Sequence, residues 1–451
     1  MVRFQCWLTM VALALSAAPA AAHKAPGAEA VLMVSVDGLR PVEVLEAGQR
    51  GTRLPTLTRL LAEGAHARVR GVLPTLTYPS HTTLITGVEP ARHNILSNTT
   101  FDPRQLNAVG WYWYSEDIMA ETLWQAARRA GYSTGNVQWP VTVGAKAIDW
   151  NLPQMWRTGQ ADDIKLDRAL ATPGLDAELS RRAGVVVPTG IDETPEADEA
   201  RGRLAEAMIA TKAPRFLTAY FTAFDDAQHN FGPDSPEARR VLERVDAAVG
   251  KLIAAERARY PHAVVVLVSD HGFGKVTRQL CLTRALVDAG LVRTDAKGKI
   301  TSWDAAAWNM GGSLAVKLAN DDPALKERVE ALLRRLAADP ANGIERVLDT
   351  AGARAMGGQP EAAFVLGLAE GTGTAEWAGP ETPLLAPAHS PGTHGYLPDD
   401  PRMRATLLVA GPGIAHGKDL GDVDMRRIAP TVAGLMGARL KDAREAALDL
   451  R

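Results

Sequence analysis

The hydrophobic positions of this chain fall into short, nearly unbroken runs separated by longer stretches of helical period. Residues 30–36 and 263–268 are almost wholly Val, Leu, Met and Ala, the pattern of strands buried on both faces of a parallel sheet. Comparable runs stand at 133–138, 215–221 and 405–410. Apolar residues three and four apart mark amphipathic helices over 120–130, 197–210 and 236–257. This alternation predicts an α/β fold, a mostly parallel central sheet flanked by helices. Residues 282–385 break the rhythm. They are Ala-rich and strongly helical in pattern over 321–339, and are expected to form a smaller inserted subdomain.

Candidate chemistry sits where the runs end. The first run leads into Asp37-Gly38 and the fourth into Asp270-His271-Gly272. Ligands of parallel sheets bind beyond the carboxyl ends of the strands. Asp37, Asp270 and His271 are therefore expected at one edge, where carboxylate and imidazole can hold a divalent metal.

Residues 74–87 read PTLTYPSHTTLITG. Pro79 suits the first turn of a helix, which puts Thr77 at or just before its N-terminus. There Thr77 is either a plain N-cap or, beside a metal and facing an anion, a hydroxyl nucleophile. Asp225 and His229 are four apart, so one helical turn puts both on the same side. Asp226 competes with Asp225 for that role. His394 lies in a Gly-flanked loop. The consecutive aromatics Trp111, Tyr112, Trp113 and Tyr114 fit either a core corner or a pocket wall.

Charge narrows the partners. Fifty Lys and Arg against 52 Asp and Glu leave a net charge of -2. A basic surface for stable nucleic-acid binding is not expected. Arg3, an apolar run from Phe4 to Ala18 and then Pro19-Ala20-Ala21-Ala22 describe a signal peptide over residues 1–22, cleaved after Ala22. The run is too short for a membrane span, so the mature chain, 23–451, is expected to be periplasmic or secreted with no membrane span. Cys281 would be its one cysteine, so no intrachain disulfide can form. Oligomeric state is open.

Taken in order, VDG, TYPSHTTLITG, DDAQHNFGP, SDHGF and GTHGY resemble the motifs of the alkaline phosphatase superfamily. The nearest branch is the type I phosphodiesterase/nucleotide pyrophosphatase family. The resemblance runs from about Val31 to Gly437. It implies an alkaline-phosphatase-like fold and two zinc ions. Asp37, Thr77, Asp270 and His271 match the ligands of the zinc that activates the nucleophile. Asp225, His229 and His394 match those of the zinc that binds the phosphoryl oxygen. The resemblance further implies Thr77 attack on phosphorus through a phospho-threonine intermediate. Asn98 matches a phosphate-binding asparagine, and Tyr78 an aromatic that lines the substrate pocket. The implied substrates are small phosphodiesters or nucleotides.

The chain departs from the family at Ser80, where Asn is common, and at Val141, where Gly is common. Both positions border the expected pocket. A sulfatase would need a Cys or Ser followed by Pro and Arg, which this motif lacks. Phosphomonoesterase, phosphonoacetate hydrolase-like and lipid-headgroup phosphodiesterase activities share the same metal chemistry. A non-catalytic binding protein would be expected to have lost Thr77 or a ligand, and all seven positions are present.

Overall fold

The structure is a computed structural model that describes residues 27–451 apart from 107–109 and 156–161. The expected signal peptide, residues 1–22, lies outside the described residues. No described helix is long and apolar enough to cross a membrane.

The centre is an eight-stranded sheet. In spatial order its strands are Lys418–Asp424, Ala65–Arg70, Ala405–Ala410, Val264–Val268, Val31–Val36, Phe216–Phe221, Thr134–Val137 and Trp150–Leu152. Seven share one direction, and Ala405–Ala410 alone runs antiparallel to both neighbours. The α/β expectation holds, with this one reversal. Its hydrophobic run reads as strand, but run composition carries no information about direction.

Side-chain alternation on the central strands builds two cores. Leu32, Val34, Val36, Val265 and Leu267 face one layer. Helices Pro55–Glu63, Pro195–Thr211 and Pro236–Arg259 cover it. Val31, Met33, Val264, Val266 and Val268 face the other. Helices Thr77–Thr86, Leu123–Arg129 and Ile428–Leu435 cover that side. Burial of each such Val or Leu contributes about 1.5–3 kcal/mol, which is why the centre reads as an unbroken apolar run.

Residues within 282–385 form a separate antiparallel sheet ordered Ala305–Asn309, Ser313–Leu318, Phe364–Leu368, Ile344–Asp349. Helices Leu282–Asp288 and Pro323–Ala337 share its apolar cluster.

Two glycines let this frame close. A Cβ on Gly272 would lie 1.9 Å from the Arg402 carbonyl oxygen, and one on Gly395 would lie 1.7 Å from that of Met310. Both follow a histidine closely, so the absence of a side chain lets the two histidine-bearing turns pack against backbone.

A buried ion pair fixes the helix Ala223–Phe231. Asp198 accepts from the backbone N–H groups of Thr222 and Ala223 at 3.0 and 2.9 Å, and from Arg201 at 2.8 Å. Its carboxylate thus satisfies the helix start that carries Asp225 and His229. Replacing Asp198 with Ala leaves Arg201 buried without its counter-ion, an expected loss of about 3–5 kcal/mol. Urea unfolding of that variant checks it, and a loss below about 1 kcal/mol would show that the pair is dispensable.

Candidate active site

The strand Val31–Val36 delivers Asp37, and Val264–Val268 delivers Asp270 and His271, to the same sheet edge. Asp37 and Asp270 are 2% and 0% exposed. Asp225 and His229 share the helix Ala223–Phe231, with His229 Nε2 at 3.3 Å from Asp225 Oδ2. His394 follows the short strand Gly392–Thr393, which pairs with the strand Gly274–Leu280 that begins just after His271. The two rings meet as a parallel stack, centroids 3.7 Å apart.

Two ligand groups result. Asp225, His229 and His394 offer atoms within 4.8 Å of one another, and so do Asp37, Asp225 and His271. Asp225 belongs to both groups, which its spacing to His229 did not foretell. Asp270 reaches the second group through His271, 3.1 Å from its Nε2.

The histidines are locked in one tautomer. His229, His271 and His394 place Nδ1 at 3.0, 3.1 and 3.1 Å from the carbonyl oxygens of Gly392, Gly272 and Thr75. A carbonyl only accepts, so each Nδ1 carries a proton; His271 and His394, lowered by burial, leave the Nε2 lone pair to a ligand, whereas at His229 burial is outweighed by the Asp225 charge, and a cation would take the place of the proton on its Nε2. Among the described residues, one buried carboxylate oxygen each of Asp37, Asp225 and Asp270 accepts no hydrogen bond. Buried polar atoms are seldom left so. Orphaned oxygens converging with imidazole Nε2 atoms fit a divalent cation, and the mixed O/N set suits zinc.

Electrostatics points the same way. Burial, then the charges of Asp270 and Asp225, push Asp37 well above the ordinary carboxylate range. Burial and the Asp225 charge raise Asp270 to about 7. Burial opposes ionisation of Asp225 as well, but the charge and hydrogen bond of His229 hold it low. Burial lowers His394 to about 4 and carries His271 well down. Without a cation the site resolves its crowding by keeping carboxyls protonated. The Tyr220 hydroxyl donates to Asp37 Oδ2.

Thr77 is the first residue of the helix Thr77–Thr86. Leu76 is the N-cap, and no side chain caps the helix. The Thr77 hydroxyl is therefore not spent on capping, and its Oγ1 lies 3.4 Å from His271 Nε2. His81, one turn on, places Nδ1 at 2.8 Å from the Thr77 carbonyl oxygen and Nε2 at 2.9 Å from Ser35 Oγ. This ties the first helical turn to the strand leading into Asp37.

A cavity of about 320 Å³ opens over these groups. Asn98 lines it and accepts from the Tyr78 backbone N–H at 2.9 Å. That contact identifies its bound atom as Oδ1 and leaves its NH₂ as a donor. Tyr78 donates its hydroxyl to Gln154 at 3.0 Å and meets Trp111 edge to face at 5.2 Å. Of the four consecutive aromatics, Trp111 forms cavity wall, whereas Tyr112 and Trp113 pack with the buried Tyr78, Ile95 and Val141.

Gln154, Glu193, Tyr220 and Asp226 also line the cavity. Sequence reading singled out none of the first three. Tyr220 sits inside a strand run, and the loop residues Gln154 and Glu193 carry no motif. Ser80 is buried with no partner for its hydroxyl among the described residues. Val141 takes φ 57°, a left-handed conformation that a β-branched residue rarely adopts. Held against Tyr78, it stores about 1–3 kcal/mol of strain.

Known proteins share this fold. The profile described as type I phosphodiesterase / nucleotide pyrophosphatase matches residues 31–353. Human ectonucleotide pyrophosphatase/phosphodiesterase family member 1 is 27% identical over 280 residues, 57% of this chain and 25% of that protein. The chain thus aligns with about a quarter of that relative's length. The solved structure of human ectonucleotide pyrophosphatase/phosphodiesterase 5 superposes with a TM-score of 0.64 at 19% identity, covering 94% of this chain and 96% of that one. An inactive variant of the murine protein in complex with AMP does so at 0.64 and 20%, covering 93% and 96%. These folds match throughout, and with the profile covering most of its length the chain belongs to the type I phosphodiesterase/nucleotide pyrophosphatase family.

Proposed function

We propose that this protein is an exported, two-zinc hydrolase of phosphodiester or pyrophosphate bonds in nucleotide-type substrates, acting through a phospho-threonine intermediate. The observation that carries the reading is the Thr77 hydroxyl, not spent on capping and 3.4 Å from His271 Nε2, beside carboxylate oxygens that accept no hydrogen bond among the described residues. Family membership supports the bond type. The AMP bound by the murine relative supports the substrate class. The apolar, Ala-terminated segment of residues 1–22 supports export to the periplasm or beyond. Residues 282–385 are read as a subdomain inserted into the catalytic domain 23–451.

Asp37, Thr77, Asp270 and His271 would hold one zinc, and Asp225, His229 and His394 the other. When bound, the pair would lower the pKa of the attacking hydroxyl and neutralise charge on the transferring phosphoryl group. Thr77 Oγ1, its proton released to solvent, forms a bond to phosphorus as the ester P–O bond breaks, and the electron pair leaves with the alcohol oxygen, which takes up a proton from water. Water then cleaves the phospho-threonine and restores the hydroxyl. His81 holds the Thr77 backbone, and so the direction of attack. The Asn98 NH₂ donates to a non-bridging phosphate oxygen, a neutral donor suited to a singly charged diester. Trp111, at the cavity wall, offers a ring face on which a base can stack, and the buried Tyr78 supports it edge to face.

Thr77→Ala is expected to lower chelator-sensitive hydrolysis of the p-nitrophenyl ester of thymidine monophosphate at least about a thousandfold while retaining metal and fold. Substantial residual turnover would sink the nucleophile assignment. His394→Ala is expected to reduce zinc from about two per chain, and unchanged metal analysis would refute the ligand set.

A pH dependence follows from Asp270, raised to about 7 from an ordinary 3.8 by burial and by Asp225. Between those values the folded, metal-free protein keeps a proton that the unfolded chain releases. Its stability therefore falls as pH rises through that window. With zinc in place the carboxylate ionises against a cation, and this loss disappears. The gap in Tm between zinc-loaded and chelator-treated protein should widen from about pH 5 to about pH 7.5. A constant gap across that range would mean that the buried carboxylates do not sense the metal.

A further inference from the structure

A second cavity, of about 130 Å³, opens where residues 99–105 meet the separate antiparallel sheet. It shares no lining residue with the cavity over the candidate metal groups. Four aromatic residues wall it: Phe101, Trp303, Trp308 and Trp377. Trp308 lies on the edge strand Ala305–Asn309 and is 7% exposed. Phe101 meets Trp303 edge to face, centroids 5.7 Å apart and planes at 86°, and Trp308 at 5.4 Å and 49°. Trp377 is held by its own Nε1, which donates to the Gly298 carbonyl at 2.8 Å. The walls are therefore set before a ligand arrives, which lowers the cost of binding one.

The polar groups of the wall narrow the ligand. Among the described residues no Lys, Arg or His lines the cavity, whereas Asp102 and Glu376 do. Lys317, over the Phe101 ring, is paired with Glu361. An anion would meet carboxylate with no cation to balance it. Asn309 spends its NH₂ on the Ala375 carbonyl and on Glu376, at 3.2 and 2.9 Å. Its Oδ1 accepts no hydrogen bond among the described residues, and Trp308 Nε1 donates none. Neighbouring residues of the wall thus hold an idle acceptor and an idle donor. A quaternary ammonium ion neither donates nor accepts, so it would leave both idle. A hydroxyl group does both. Ring geometry then separates a sugar from a nucleobase. A flat base stacks best between parallel faces, whereas these rings meet at steep angles around a body of some thickness. The negative ring faces suit the C–H bonds of a pyranose, whose hydrogens are polarised by neighbouring oxygens.

We infer that this cavity binds a neutral sugar unit, at a site separate from the candidate active site. The aromatic rings pack on its C–H groups. Asn309 and Glu376 accept from its hydroxyls, and Trp308 Nε1 donates to one.

The test uses the full chain and calorimetry with glucose, galactose, mannose and N-acetylglucosamine, set beside adenosine and choline. At least one sugar should bind with a Kd of about 1 mM. Trp377→Ala should weaken that affinity at least about fivefold. Trp377 is the deciding position because it is half-buried, whereas Trp308 belongs to an apolar cluster whose loss would disturb folding. Thr77→Ala should bind the sugar as the native chain does, and Trp377→Ala should hydrolyse the thymidine ester at the native rate. Sugar binding is thus read without turnover, and its outcome is independent of the catalytic reading. No binding of any of the four sugars at about 50 mM overturns the inference. So does a smaller loss of affinity in Trp377→Ala, or tighter binding of adenosine or choline than of every sugar.

Discussion

Three buried carboxylates brought together set the terms for the rest of this molecule. Asp37, Asp225 and Asp270 are all buried at one edge of the central sheet, where each raises the cost of ionising its neighbours. The fold accepts that crowding because the strands that carry Asp37 and Asp270 are adjacent, parallel and sealed on both faces. Their ends cannot separate without opening both cores. Asp225 arrives on a helix whose start is fixed by the buried Asp198–Arg201 pair. The hydrophobic sheet therefore forces negative charge into one place, and a bound cation is the economical way to relieve it.

The histidines show how such a site is kept in order. Each of the three spends Nδ1 on a backbone carbonyl, and the carbonyls belong to different segments: Thr75, Gly272 and Gly392. The contact to Thr75 joins the turn before the helix of Thr77 to the loop of His394, across more than three hundred residues of sequence. The same donors that set the tautomers thus tie the edges of the site together. His81 adds a fourth tie, between the Thr77 backbone and Ser35.

Much of this was legible in the sequence because strand ends are legible. A buried run followed by acid and glycine announces both its strand and the edge at which that strand stops. The i,i+4 spacing of Asp225 and His229 announces a shared helical face. What escaped lay outside such patterns. The strand Ala65–Arg70 alternates polar and apolar residues, its edge neighbour Lys418–Asp424 is mostly polar, and Trp150–Leu152 is only three residues long. The reversal of Ala405–Ala410 depends on which edge its loops can reach, a property of chain connection rather than composition. Gln154 and Glu193 enter the cavity from loops whose sequence has no period to read. Glu193 is placed by an arginine eight positions later, through carbonyl oxygens of residues before it.

The pocket wall is where the chain differs most from what its family resemblance implies, and the differences are physical rather than cosmetic. Val141 occupies a left-handed position that glycine would take without strain, and it stays there packed with Tyr78 and Ile95. A smaller residue would relieve the backbone but leave Tyr78 unsupported, with a hydrogen bond to Gln154 and an edge contact to Trp111 to hold its ring. Strain at Val141 therefore stiffens one wall, while Arg201 holds the loop that carries Glu193. A family member can keep its metal chemistry unchanged and still alter what it hydrolyses, because the ligands hang from strand ends and helix turns whereas the wall hangs from loops. Selectivity here is a property of those loops.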